Sequence, residues 1–238
     1  MLDQFLHSAP HVRVDGFLIL LVLVVLESVL SADNAIALAA LVQGLEDSTL
    51  QRQALNLGLV AAFILRIGLI LTATWVIQFW QFSLAGAAYL LWLALQYFLS
   101  SANGSNSHEH HGPRFASLWQ AIPLIALTDL AFSLDSVTTA IAVSQDKWLV
   151  ITGGVIGVIT LRFMAELFIR WLDEFTHLQD AGYITVALVG LRLLLKVAAP
   201  EWVPPEWLMI TSIALIFLWG FSKKAEAVQN AYPLSEKQ

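Results

Sequence analysis

Glu27, Ser31, Asp33 and Asn34 lie in one apolar stretch of the chain, and Asp129, Ser133, Asp135 and Ser136 lie in another, 102 positions further on. Both groups read acid-x3-Ser-x-Asp-[Asn/Ser], and Arg66 and Arg162 sit inside two further apolar stretches. Residues of these types point to cation chemistry. Carboxylate, hydroxyl, amide and backbone carbonyl are hard oxygen donors, suited to Mg2+, Ca2+ or Mn2+. No Cys or His falls in the paired motifs and no Met aligns with them, which disfavours Zn2+ and Cu(I).

The cost of placing charge in an apolar stretch sharpens this. An ionised side chain at a bilayer centre costs about 2.5–3.5 kcal/mol. Glu27, Asp33, Asp129, Asp135, Arg66 and Arg162 standing alone would together cost on the order of 15–20 kcal/mol, against a typical net stability of about 5–15 kcal/mol. They must therefore pair, face water or hold a cation. If all six converge in ionised form, four carboxylates and two guanidinium groups leave −4 + 2 = −2, which one divalent cation balances. Protonation of one or two acids on cation release is a route to proton coupling.

Helical spacing decides which groups meet. Glu27, Ser31 and Asn34 follow an i, i+4, i+7 pattern and share a face. Asp33 at i+6 lies about 120° round from Glu27, and Asp135 is displaced from Asp129 in the same way. Either each Asp faces a different neighbour, or the helix unwinds at Ser-x-Asp and turns both carboxylates inward. The length of these two apolar stretches and the capping character of Ser, Asp and Asn favour unwinding.

The elements that carry these residues follow from composition. Of 238 residues 58% are apolar and only 13% charged, about half the charge of a soluble domain, so the chain reads as a multi-pass, all-α membrane protein. A net charge of −6 with no basic stripe argues against nucleic-acid binding, and the absence of Cys excludes a disulfide framework. Seven apolar spans are read at about 16–43, 57–78, 83–100, 119–144, 149–171, 181–199 and 207–222. The first continues from Phe17 past Glu27 to Val42, too long for the core of a cleaved signal peptide, and is read as a retained transmembrane helix. Trp75, Trp80, Trp119, Trp148, Trp171, Trp202 and Trp207 fall near span ends, where indole suits the headgroup belt.

The motif is part of an internal repeat. Both copies run on into Ala-Ile-Ala, at 35–37 and 140–142; Gly58 to Arg66 matches Gly154 to Arg162, and Ala85-Gly86 matches Ala181-Gly182 at an offset of 96. The chain divides accordingly into a first three-helix repeat (1–100), a polar, His-containing linker (101–118), a second three-helix repeat (119–199), and a seventh transmembrane helix with the C-terminal tail (200–238). Three spans per copy is an odd number, so the copies enter from opposite faces. This 3+3 inverted-topology repeat places a binding site at the midplane between the halves. Loop Lys and Arg number three on the N-terminal side (Arg13, Lys147, Lys196) and six on the other (Arg52, Arg114, Arg170, Lys223, Lys224, Lys237), which predicts an N-terminus outside and a cytoplasmic C-terminus.

With the motifs in hand, a resemblance can be stated. Glu27-Ser-Val-Leu-Ser-Ala-Asp-Asn-Ala-Ile-Ala and Asp129-Leu-Ala-Phe-Ser-Leu-Asp-Ser-Val resemble the two signature segments of the TerC family of integral membrane proteins, and the resemblance runs from the first span to the seventh. It implies manganese export, proton-linked in some members, from an inner, plasma or thylakoid-type membrane. It makes Glu27, Asp33, Asp129 and Asp135 the functional acids, with Ser31, Asn34, Ser133 and Ser136 beside them as metal donors. Arg66 and Arg162, by their depth within their own spans, are read as compensating charge rather than snorkelling to an interface. On the resemblance Mn2+ is the expected transported cation, with Mg2+ and Ca2+ not excluded. A plastid branch linked to thylakoid protein assembly keeps a second role open, that of a non-transporting scaffold.

The remaining polar residues are read as follows. His108-Glu-His-His111 offers metal donors in the linker, although a short His-bearing loop is ordinarily only a loop. Glu166 is read as structural, pairing with Arg162 four residues before it or with Arg192. Gly153, Gly154 and Gly157 allow close helix contact. An enzyme is not expected: the Gly-x-Gly-Asp of an intramembrane aspartyl protease is missing, and the seventh span has no mid-span Lys for a retinal. The expected partners are a divalent cation and the lipid bilayer, with a homo-oligomer or other membrane proteins left open.

Overall fold

The computed structural model describes residues 14–45, 47–76, 78–103, 115, 117–144 and 146–224. The 108–111 histidine cluster and the end of the C-terminal tail lie outside the described residues. Among those described there are seven α-helices: α1 (Val14–Val42), α2 (Ser48–Val76), α3 (Trp80–Asn103), α4 (Leu118–Val143), α5 (Lys147–Glu174), α6 (Leu178–Ala198) and α7 (Glu206–Gly220). A short 3-10 turn, Pro200–Trp202, precedes α7. Apolar runs of this length close their backbone hydrogen bonds internally, which is what hydrocarbon demands.

Among the described residues five helices, α2 to α6, are long and apolar enough to cross a membrane, and α7 is a shorter apolar helix. At 15 residues α7 rises about 22 Å, less than the ~30 Å of a hydrocarbon core. α1 runs inward to the centre: Ala35 to Val42 are 0–3% exposed on every side.

The principal packing pairs are α1 with α5, α2 with α4, and α3 with α6, followed by α1 with α4 and α2 with α5. Exchanging α1 with α4, α2 with α5 and α3 with α6 leaves that set of pairs unchanged. Small residues permit the close approaches. A Cβ on Gly86 would meet Leu134 of α4 at 2.9 Å, and one on Gly182 would meet Ile36 of α1 at 3.1 Å. The matched Ala-Gly pairs thus each receive a side chain from the acid-bearing helix of the other half. Between α3 and α6, Tyr97 stacks on Tyr183 with ring centroids 3.8 Å apart and donates a 2.6 Å hydrogen bond to Asp180.

One expectation is corrected. α1 and α4 are unbroken α-helix through Ser31-Ala-Asp33 and Ser133-Leu-Asp135, so the chain does not unwind there. The Ser133 hydroxyl turns back on its own helix instead, donating to the carbonyl of Asp129 four residues earlier at 2.7 Å. The tryptophans also divide. Trp75, Trp80, Trp119, Trp148, Trp202 and Trp207 are all more than half exposed at helix ends, whereas Trp171 packs edge-on against Phe168 and Phe221.

Candidate functional site

Because α1 and α4 stay helical, the 120° offset between the two acids of each motif persists, and each helix presents its acids to different neighbours. The eight motif residues are all buried and separate into two clusters.

The first cluster surrounds Arg66 of α2. Its guanidinium, 1% exposed, donates to Glu27 of α1 and to Asp129 Oδ1 of α4 at 3.2 Å. Ser133 Oγ lies 3.3 Å from Asp129 Oδ2, and Ser31 Oγ reaches the carbonyl of Gly157 on α5 at 3.5 Å. The glycine is required here, because a Cβ at Gly157 would overlap the Glu27 side chain. Two carboxylates share one guanidinium in a dry interface, and the space beside them is only about 10 Å³. This cluster ties α1, α2 and α4 together and, at full ionisation, carries −1.

The second cluster lines a cavity of about 600 Å³ between α1, α4, α6 and α7. Its walls are apolar, with Leu21 and Val25 on one side and Ile213 and Phe217 on the other, and its polar lining is Asp33, Asn34, Asp135, Ser136, Arg192 and Glu206. The second acid and its polar neighbour from both motifs therefore reach one cavity. Asp135 forms ion pairs with Arg192 and with Lys196, and Arg192 also donates to Glu206 Oε1 at 3.3 Å. Asp33 is 4% exposed, and among the described residues no ion pair reaches it; its Oδ1 accepts only the Asn34 backbone N–H at 3.0 Å. A buried carboxylate that lines a cavity without an ion-pair partner among the described residues carries a desolvation cost that a bound cation would relieve. No group of three or more His, Asp or Glu side chains gathers as a preformed metal cage among the described residues.

Arg162 joins neither cluster. It donates to Asn56 and to Glu166 Oε2 at 2.8 Å, and its side chain is 28% exposed. Glu166 also receives Arg170 at 3.4 Å, so its partners are Arg162 and Arg170 rather than Arg192. The six charges of the sequence count thus do not meet at one point. Arg192 and Glu206, absent from that count, line the cavity instead, and Lys196, also absent from it, pairs with Asp135. Arg192 lies in an apolar run and incurs the same burial cost as Arg66, a signal legible in the sequence. Lys196 follows four residues later on the same face but was counted as loop charge.

The sequence profile of the family described as "Integral membrane protein TerC family" matches residues 12–227. The "Uncharacterized membrane protein YceF" of Bacillus subtilis (strain 168) is 34% identical over 176 residues, covering 72% of this chain and 68% of the relative. A second protein of that organism, "Uncharacterized membrane protein YkoY", is 29% identical over 92% of this chain and 78% of its own length. The "UPF0053 inner membrane protein YgdQ" of Escherichia coli (strain K12) is 31% identical over 76% of this chain and 82% of its own. No solved structure matches the chain.

Proposed function

The chain belongs to the TerC family of integral membrane proteins, and on that premise we propose that it is a secondary transporter exporting a divalent cation, Mn2+ before Mg2+ or Ca2+. One observation carries the reading: the Asp-Asn and Asp-Ser pairs of the two motifs, 102 positions apart in sequence and themselves buried, line the same cavity, and one of the two carboxylates has no ion-pair partner among the described residues. Oxygen donors of this kind suit hard divalent cations. Preference for Mn2+ rests on the family resemblance. In this reading Asp33 and Asp135 bind the ion with Asn34 and Ser136, while Glu27, Asp129 and Arg66 hold the two motif helices in register.

The halves act as an inverted repeat that opens the cavity to each side in turn. Protons exchanging with the ion at Asp33 or Asp135 supply the coupling. The helix pairing, unchanged on exchange of the halves, supports this arrangement.

The test is flux into liposomes. Reconstituted protein should take up Mn2+, faster with an opposing pH gradient, and Asp33→Asn and Asp135→Asn should abolish uptake. Undiminished flux in both variants would remove the proposed site. Absence of flux in the wild type would favour the scaffold role.

A further inference from the structure

Lys196 has a position that its pairing with Asp135 alone does not explain. It lies in the last turn of α6, two residues before the helix ends at Ala198, and its side chain is 29% exposed. Asp135 and Arg192, which it accompanies, are 8% and 7% exposed. The lysine, more exposed than either, therefore reaches inward to a carboxylate that lines the cavity. Arg192 is fixed from two sides, by Asp135 and by Glu206, and is lodged in the fold. Lys196 has one described ion-pair partner, a flexible four-carbon stem and an exposed route outward. On withdrawal its ammonium would lie at the C-terminal end of α6, where the carbonyls of the last turn favour positive charge.

The charge count gives the pairing a purpose. Asp33, Asp135 and Glu206 contribute −3 at full ionisation, and Arg192 and Lys196 contribute +2, leaving −1. With the lysine withdrawn the remainder is −3 + 1 = −2, which a divalent cation neutralises. We infer that Lys196 is a tethered stand-in cation: its ammonium occupies Asp135 while the site is empty of substrate and is displaced toward solvent when a divalent ion binds. The inference rests on the transport reading and adds a competitor built into the chain. It adds to Arg192 in compensating Asp135 on the return step, and it sets the affinity for the ion. Lysine suits this role better than arginine, because a compact point charge leaves a carboxylate more readily than a two-pronged guanidinium does.

The experiment reads the exposure of the lysine directly. The full chain in detergent is labelled with an amine-acetylating reagent, with and without Mn2+, and the modification of each lysine is followed by mass spectrometry. Lys196 should react several-fold faster with Mn2+ present, while Lys147, exposed at the start of α5, should be unchanged. In the flux assay Lys196→Gln should lower the KM for Mn2+, and Lys196→Arg, which retains the charge but grips Asp135 with two donors, should raise it. A merely structural ion pair predicts no change in labelling and wild-type behaviour for Lys196→Arg. Wild-type protein that transports Mn2+ while Lys196 reacts at one rate throughout overturns this inference and leaves the transport reading standing. A parallel rise at Lys147 reports general opening and also overturns it. Wild-type protein that neither transports nor binds Mn2+ overturns both.

Discussion

Replacing Arg66 with methionine separates the structural cluster from the cavity. The guanidinium is 1% exposed and contacts Glu27 and Asp129, themselves buried, so its removal leaves two carboxylates facing each other without a counter-charge. Breaking a buried ion pair from one side costs about 3–5 kcal/mol. Hydration relieves little of the repulsion, because the adjoining space is about 10 Å³, room for one water molecule at most. For a chain of this size each kcal/mol moves the melting temperature by about 2–4 °C, so Arg66→Met should melt roughly 6–20 °C lower. The measurement is a thermal melt in detergent followed by intrinsic tryptophan fluorescence. Adding Glu27→Gln and Asp129→Asn removes the orphaned charges and should recover most of the loss, since an uncharged polar cluster carries no Coulomb repulsion. A single variant that melts within about 2 °C of the wild type would refute the argument that this interface is dry and held by the arginine. A triple variant no better than the single would locate the loss in packing rather than in charge.

Three further outcomes are expected. Asp33→Asn, at a carboxylate without an ion-pair partner among the described residues, should leave the melting temperature unchanged or raised while Mn2+ flux is lost; a fall comparable to that of Arg66→Met would mean that Asp33 is paired. Gly157→Ala places a methyl group against Glu27 and should destabilise by about 1–3 kcal/mol, and the same melt should show no such effect for Gly68→Ala, where nothing lies within 4 Å of the added carbon. Arg162→Gln, at a partly exposed pair with Glu166, should change stability by no more than about 1 kcal/mol and leave flux near wild type; loss of transport would return Arg162 to the site.

Much of this protein is legible in the amino-acid sequence. The low charge content and the long apolar runs determine an all-helical membrane protein, because only helices satisfy backbone groups within one segment in hydrocarbon. The cost of charge in those runs singles out the motif acids and Arg66, and the matched spacing pairs the two motifs. The 120° offset between the acids is also present in the sequence, but its consequence depended on whether the helices broke. Only the tertiary packing shows that α1 and α4 remain helical and turn Glu27 and Asp129 to Arg66, and Asp33 and Asp135 to the cavity.

The partners of Asp135 were hidden for a different reason. Comparing the halves selects what recurs, and Arg192 and Lys196 do not: at the offset of 96 they stand opposite Gln96 and Ser100. Arg162 does recur, yet faces Asn56 and Glu166 on the outer side of α2 and α5. A repeat in sequence shows which residue types recur, whereas the charge that reaches a given carboxylate depends on how helices distant in the chain are packed. The sequence alone therefore determined which helices carry acids, and only the packing of α6 and α7 against α1 and α4 decided which cations meet them.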